Sequence, residues 1–304
     1  MTQSIALSMT EQSDPRYRQI DRLPTAEIAR LMNAADSTVP GAVARAVPQI
    51  SAAIDQIAAR MQDGGRLLYV GAGTSGRLAV LDASECPPTF GTDPEVVQGI
   101  IAGGVQALTR SVEGAEDDAE AGAAAIRERR VGPLDSVVGI SAGGRAPFVV
   151  AAVTEARALG ALTVGLACNE GVPLSQAADH SIEVVVGPEV VTGSTRLKAG
   201  TAQKLVLNMI STIAMIKCGR TFGNHMVEVS ASNTKLVDRA ARIVGDITGA
   251  NLSASRAALE AAGHEVKTAV VMIERDLAPD EARLLLAAYG DRLDSALEAR
   301  PQGA

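Results

Sequence analysis

Hydrophobic positions along the 304-residue chain pass through three regimes. Over residues 1–50 a polar opening punctuated by proline gives way to apolar positions at Ile28, Leu31 and Met32, and the same period continues through Ile50, Ile54 and Ile57. That spacing is one face of a helix. From Arg66 the period changes to short, continuous apolar runs, RLLYVGAG, EVVQGIIAGG, DSVVGISAGG, ALTVGLACN and SIEVVVGPEV, separated by Ala-rich helical stretches. Apolar strands that alternate with helices, rather than with polar residues, predict an α/β fold: a doubly wound parallel sheet covered on both faces. After Val227 the strand pattern stops. The stretch ASRAALEAAGHEVKTAVVMIERDLAPDEARLLLAAYGDRLDSAL reads as short amphipathic helices, with Ala278, Pro279 and Asp280 marking a helix start. The pattern therefore predicts an N-terminal arm and helices over 1–50, an α/β domain over 51–226 and a C-terminal helical subdomain over 227–304.

Composition narrows the partners. Hydrophobic residues make up 47% and charged residues 21%, so a packed core is expected and long disorder is not. A net charge of −7, with no Trp, three Tyr and three Phe, supplies neither a basic field nor stacking platforms, which sets nucleic acid aside. An anionic ligand then has to be held by local devices such as helix N-termini, backbone amides and a few placed cations. Cys86, Cys168 and Cys218 form no CxxC pair, so neither a disulfide framework nor a thiolate metal site is expected, and a reducing cytoplasm fits. The opening residues lack a basic start followed by an apolar run, and no stretch of about 18 uninterrupted apolar residues occurs. Neither export nor a membrane span is expected.

Three of the strands run into loops rich in glycine or hydroxyls, and in doubly wound sheets ligands bind beyond the carboxyl ends of strands. After LLYV, the loop GAGTSGR offers Gly73, Thr74, Ser75, Gly76 and Arg77 at the start of a helix. Glycines allow close backbone approach, hydroxyls donate hydrogen bonds and the helix N-terminus carries partial positive charge. The GxGxxG pattern alone suggests a dinucleotide site, but that site needs an acid about 20 residues on, at the end of a second strand, where this chain reads DASECPP. The hydroxyls suit a terminal phosphate better; the competing view is a tight turn with no ligand. The loop SAGGRAP contributes Ser141, Gly143 and Gly144. The loop VTGSTRLKAGT opens a long helix and contributes Ser194, Thr195 and the cations Arg196 and Lys198. On its own it equally describes a capped helix with a solvated basic edge.

Two carboxylate groups follow the first loop. Glu85 is expected just past that loop's helix, at an exit stiffened by Pro87 and Pro88. Glu113, Glu116, Asp117 and Asp118 cluster in SVEGAEDDAE, which reads either as an acidic first turn favoured by the helix dipole or as the source of a catalytic acid or base. Cys86 has no histidine in a recognisable pairing, and His180, His225 and His264 are too scattered for a metal motif. No metal or other cofactor is implied.

Together, GAGTSGRLAVLDASECPPTFG, SVEGAEDD, GPEVVTGSTRLKAGTAQKLVLNM and FGN closely resemble the N-acetylmuramic acid 6-phosphate etherases, enzymes with a single SIS (sugar isomerase) domain. The similarity runs over nearly the whole chain. It implies cleavage of the lactyl ether of N-acetylmuramic acid 6-phosphate to N-acetylglucosamine 6-phosphate and D-lactate during cell-wall sugar recycling. It also selects Glu85 and Glu116 as the catalytic pair, with Glu85 read as the acid, Glu116 as the base and Glu113 as structural. One SIS domain per chain implies a homodimer. The chain departs from the family where AASGRTPY becomes SAGGRAPF, placing Gly143, Ala146 and Phe148 where a hydroxyl, Thr and Tyr are usual, with Ser141 as a possible replacement. His225 likewise interrupts the usual GNLMV. The alternatives are a sugar-phosphate isomerase on the same domain, or a non-catalytic sugar-phosphate-binding regulator, since the vertebrate glucokinase regulatory protein resembles this family.

Overall fold

The computed structural model describes residues 8–229 and 234–299. Its contacts divide the chain into two units, Met1–Ser84 with Pro94–Ala214, and Glu85–Asp93 with Met215–Ala304.

The first unit opens with three helices, α1 (Thr25–Asp36), α2 (Val39–Arg45) and α3 (Val47–Gln62). The apolar stripe expected on α3 is the buried one: Ile50, Ile54 and Ile57 are each no more than 2% exposed. Five strands follow, β1 (Leu67–Gly71), β2 (Val97–Ile101), β3 (Ser136–Ile140), β4 (Leu162–Ala167) and β5 (His180–Glu183), one in each predicted run. They form one sheet in the order β2-β1-β3-β4-β5 with every pairing parallel. Leu67 pairs with both Val97 and Ser136, so the interior strand β1 is hydrogen-bonded on both edges, and all five of its residues are buried. Such a strand has no solvent face, which is why its sequence is continuously apolar. The connecting helices include α4 (Gly73–Phe90), α5 (Ala119–Glu128), α6 (Pro147–Ala158), α7 (Pro173–Ala177) and α8 (Lys198–Lys217). Phe148, Val149, Ala152 and Val153 of α6 join Leu68, Val70, Val137 and Leu174 in the core.

One sequence expectation is corrected here. Glu85 does not lie past the helix: α4 continues through Glu85, Pro87 and Pro88 to Phe90. Two prolines remove two backbone donors, but they sit in the last turn, and the helix closes with Gly91 N–H donating to the Pro87 carbonyl at 3.0 Å. The missing ladder bonds therefore concern only the carbonyls four residues earlier, at Ala83 and Ser84.

The second unit contains the short antiparallel pair β6 (Thr221–Phe222) and β7 (His225–Met226), then helices α9 (Thr234–Thr248), α10 (Leu252–Ala261), α11 (Val266–Arg275), α12 (Pro279–Ala288) and α13 (Leu293–Glu298). Pro279 occupies the first turn of α12, and Ala278 N–H donates to the Glu281 carboxylate at 3.0 Å. Val244, Leu259, Val270 and Ala282 fill this unit's own core.

Candidate active site

The site begins where β1 leaves the sheet. A Cβ at Gly71 would lie 2.6 Å from the Gly76 nitrogen, so only glycine lets the strand end press against the first turn of α4. That first turn carries Thr74 and Ser75. Their side chains line a cavity of about 230 Å³ together with Gly73, Ser141, Gly143, Ala146, Thr195 and Glu116. Four separate stretches of sequence thus converge at the carboxyl ends of β1 and β3: the first hydroxyl loop, the acidic cluster, the loop after β3 and the loop ahead of α8. Four residues with hydroxyls and a helix N-terminus surround this space, the kind of groups that can bind an anion.

The loop after β3 is shaped for the cavity. Ser141, 8% exposed, accepts a hydrogen bond from the Gly144 N–H at 3.1 Å, which leaves its own proton for another acceptor. Gly144 has φ +69°, and a Cβ there would meet Val172 at 2.2 Å. At Gly143 a Cβ would meet nothing within 4 Å, so the hydroxyl usual at this position has room but is absent. Ala146 lines the cavity, whereas Phe148 is buried in the core at 4% exposure.

A neighbouring cavity of about 310 Å³ shares Ala72, Gly73 and Glu116 and adds Arg77, Ser111, Glu113 and Gly114. Glu116 is exposed on a 3₁₀ turn, Ala115–Asp117, entered through Gly114 in the left-handed conformation. It lies ahead of α5, whose N-cap is Asp118, accepting the Ala121 N–H at 2.9 Å. Arg77 directs its guanidinium to the carbonyls of Leu108 at 3.1 Å and Arg110 at 3.4 Å. It thereby ties α4 to the segment leading into Glu116.

The loop ahead of α8 behaves differently. Thr195 reaches the first cavity, while Gly76, Gly144, Ser194 and Lys198 line neither cavity. Lys198 is 4% exposed and its ammonium donates to the Val186 carbonyl at 2.6 Å. Burial pushes its pKa down and the charge of Glu189 opposes that. Glu189, fully buried, accepts from the backbone N–H groups of Lys198 at 3.0 Å and Ala199 at 2.9 Å. The N-terminus of α8 already holds an anion, and it is the protein's own.

Sequence reasoning passed over Glu189, Gln203 and Asp82. Ser75 donates its hydroxyl proton to Gln203 Oε1 at 2.9 Å, and Gln203 is 1% exposed. Asp82, two turns along α4, accepts from Asn208 at 2.9 Å and Ser211 at 3.2 Å on α8. Its burial raises the carboxyl's pKa, with Tyr69, Ser211 and Asn208 acting against that. The available signal was periodicity: polar residues on the inner stripes of two Ala-rich helices demand partners.

Glu85 belongs to the second unit and is exposed on α4, on the same face as Leu81, Ser84 and Pro88. Cys86 is buried at 2% exposure, and burial pushes the Cys168 thiol up to about 12. A thiol with that pKa is not a nucleophile near neutral pH. Among the described residues no group of three or more His, Cys, Asp and Glu side chains is placed to hold a metal ion.

Comparisons with known proteins bear on the family and the fold. Residues 49–157 match the model of the glucokinase regulatory protein N-terminal SIS domain, and residues 119–213 match the SIS domain model. An N-acetylmuramic acid 6-phosphate etherase of Streptomyces coelicolor is 57% identical over 290 residues, covering 95% of this chain and 93% of that protein. One from Escherichia coli O81 is 52% identical, covering 95% and 97%. Among solved structures, a phosphoheptose isomerase from Francisella tularensis superposes with a TM-score of 0.50 at 18% identity, covering 64% of this chain and all of that one, which shows the shared fold.

Proposed function

The chain belongs to the N-acetylmuramic acid 6-phosphate etherase family, and from that premise we propose how its own residues carry the reaction. It is a carbon–oxygen lyase that cleaves the D-lactyl ether of N-acetylmuramic acid 6-phosphate, giving N-acetylglucosamine 6-phosphate and D-lactate in amino-sugar recycling. In the ring-opened sugar the aldehyde acidifies the hydrogen on carbon 2. A base removes it, the ether oxygen on carbon 3 takes a proton and leaves with lactate, and water adds across the resulting double bond.

This chemistry needs a phosphate handle, a base and an acid in fixed geometry. The cavity of Thr74, Ser75, Ser141 and Thr195 is the handle, because hydroxyls at a helix N-terminus match a phosphate dianion. Glu116 is the base. The observation that carries this reading is that Glu116 lines both this cavity and its neighbour, so a sugar anchored by phosphate in one reaches a carboxylate at the border of the other. Arg77 holds the segment that bears it. Glu85 is the acid, an assignment that rests on its match to the family motif. Residues 51–226 form the sugar-phosphate domain and 227–304 a helical subdomain. A homodimer in the cytoplasm completes the proposal. One SIS domain per chain supports the dimer, three cysteines with no CxxC spacing support a reducing compartment, and no described helix is long and apolar enough to cross a membrane.

Incubation with N-acetylmuramic acid 6-phosphate and assay of D-lactate tests the reading. Lactate release that is lost in Glu116→Gln and Glu85→Gln supports it. Folded protein that releases no lactate, or isomerises a hexosamine phosphate instead, overturns it.

A further inference from the structure

Ser75 has one hydroxyl proton, and in this structure that proton is directed at Gln203 Oε1, 2.9 Å away. A hydroxyl so engaged has nothing to donate to a phosphate oxygen in the cavity it lines. On the same side chain, Gln203 Nε2 is buried without a hydrogen-bond partner among the described residues. A buried donor left unpaired, beside a hydroxyl in an anion cavity, calls for an explanation.

The primary amide supplies one. Half a turn about its terminal bond exchanges oxygen and nitrogen at nearly equal volume. Nε2–H then donates to Ser75 Oγ, and the Ser75 proton is released toward the cavity. The Gln203 carbonyl takes the unpartnered position, which an acceptor tolerates better than a donor does. With the cavity empty, Ser75 gives its proton to Gln203. With a phosphate present, the turned amide allows two hydrogen bonds in series, amide to hydroxyl and hydroxyl to anion, and bonds to a charged acceptor are the stronger kind.

We propose that Gln203 is a positioning residue whose amide has two settings and whose turn delivers the Ser75 hydroxyl proton to the phosphate of the substrate. The inference rests on the reading of this cavity as the phosphate site. Gln203 itself touches Ser75 rather than the ligand.

The test uses the intact protein with inorganic phosphate as the probe. In nuclear magnetic resonance spectra of the wild type, the Gln203 side-chain amide pair, assigned through its contact with Ser75, is expected to shift when phosphate is added. By calorimetric titration, Ser75→Ala weakens phosphate about tenfold. Gln203→Met weakens it about threefold in the wild type and not at all in the Ser75→Ala background, because the relay is already broken. Gln203→Glu is weaker than Gln203→Met, since an ionised carboxylate only accepts and holds the Ser75 proton. In turnover, Gln203→Met raises KM while kcat stays within about twofold. Amide resonances that do not move with phosphate, or Gln203→Met and Ser75→Ala effects that simply add, overturn the relay while leaving the phosphate site intact. Unchanged phosphate affinity in Ser75→Ala, Thr74→Val and Thr195→Val alike overturns the site and the relay together. The resonance measurement needs no variant, so a Gln203 substitution that fails to fold still leaves the inference open to refutation.

Discussion

The loops opening α4 and α8 are built from the same residue types, yet they do opposite work. Both combine glycine with Ser-Thr or Thr-Ser, and both open a long helix. At α4 the first-turn hydroxyls face a cavity, and no side chain among the described residues accepts from the N–H groups of Gly73, Thr74 or Ser75. At α8 the equivalent N–H groups are taken by the buried carboxylate of Glu189, and the Lys198 ammonium is spent on a carbonyl. A helix N-terminus attracts an anion in either case. What differs is that the N–H groups opening α8 are already taken by the chain's own carboxylate, so α8 is a fixed anchor, while the first turn of α4 borders an open cavity to which Thr195 also contributes.

The sharpest way to break this contrast is at Glu116. If the cavity beside α4 is where the chemistry occurs, Glu116→Gln lowers D-lactate release about 10²- to 10⁴-fold with the melting temperature unchanged; a loss below tenfold would falsify its role as base. The next effect is on stability and falls at α8. Glu189→Ala strips two buried backbone donors of their acceptor, a loss of about 3 kcal/mol, or a fall of about 6–12 °C in melting temperature by calorimetry. An unchanged melting temperature would show that α8 is not anchored in this way. A smaller pair of effects separates the two loops directly. Thr74→Val raises the Kd of inorganic phosphate about fivefold to tenfold, whereas Ser194→Ala, outside both cavities, stays within about twofold.

The smallest effect concerns a second buried carboxylate, held differently. Asp82 accepts from neutral side chains on α8 where Glu189 accepts from the backbone N–H groups of a helix N-terminus. Its folded pKa is raised by burial above the usual value of 3.8, so between that value and the raised one the folded state binds more protons than the unfolded state. Stability therefore falls as pH rises through that window and is flat above it. Asp82→Asn keeps an acceptor for Asn208 and Ser211 and removes the titration. Melting temperature against pH is expected to fall less steeply above pH 4 in the variant than in the wild type, and parallel curves would refute the point.

The parallel sheet and the helices between its strands were legible because β1, β3 and β4 are buried along their whole length, and a continuous apolar run has few other uses. That Thr74, Ser75, Ser141 and Thr195 gather at one cavity follows the expectation from hydroxyls beside glycines near strand ends. The course of α4 through Pro87 and Pro88 was not legible. Proline marks a break by removing a donor, but a last turn whose next N–H, on Gly91, still finds the Pro87 carbonyl tolerates it. Glu113 and Glu116 were separated in sequence only by the family resemblance; both line a cavity, and of the two Glu116 borders a second.

The sequence by itself determined the sheet, the residue types gathered at its carboxyl edge and the kinship that names the reaction, because hydrophobic period and local motif act over a few residues. Only the tertiary structure decided which of two similar loops stays open to a ligand. At α8 the N–H groups meet Glu189 only 9 and 10 residues back in the chain, whereas at α4 the Ser75 hydroxyl meets Gln203, 128 residues away. A buried polar group's function is set by what it faces, and what it faces is a property of the packed fold rather than of its neighbours in sequence.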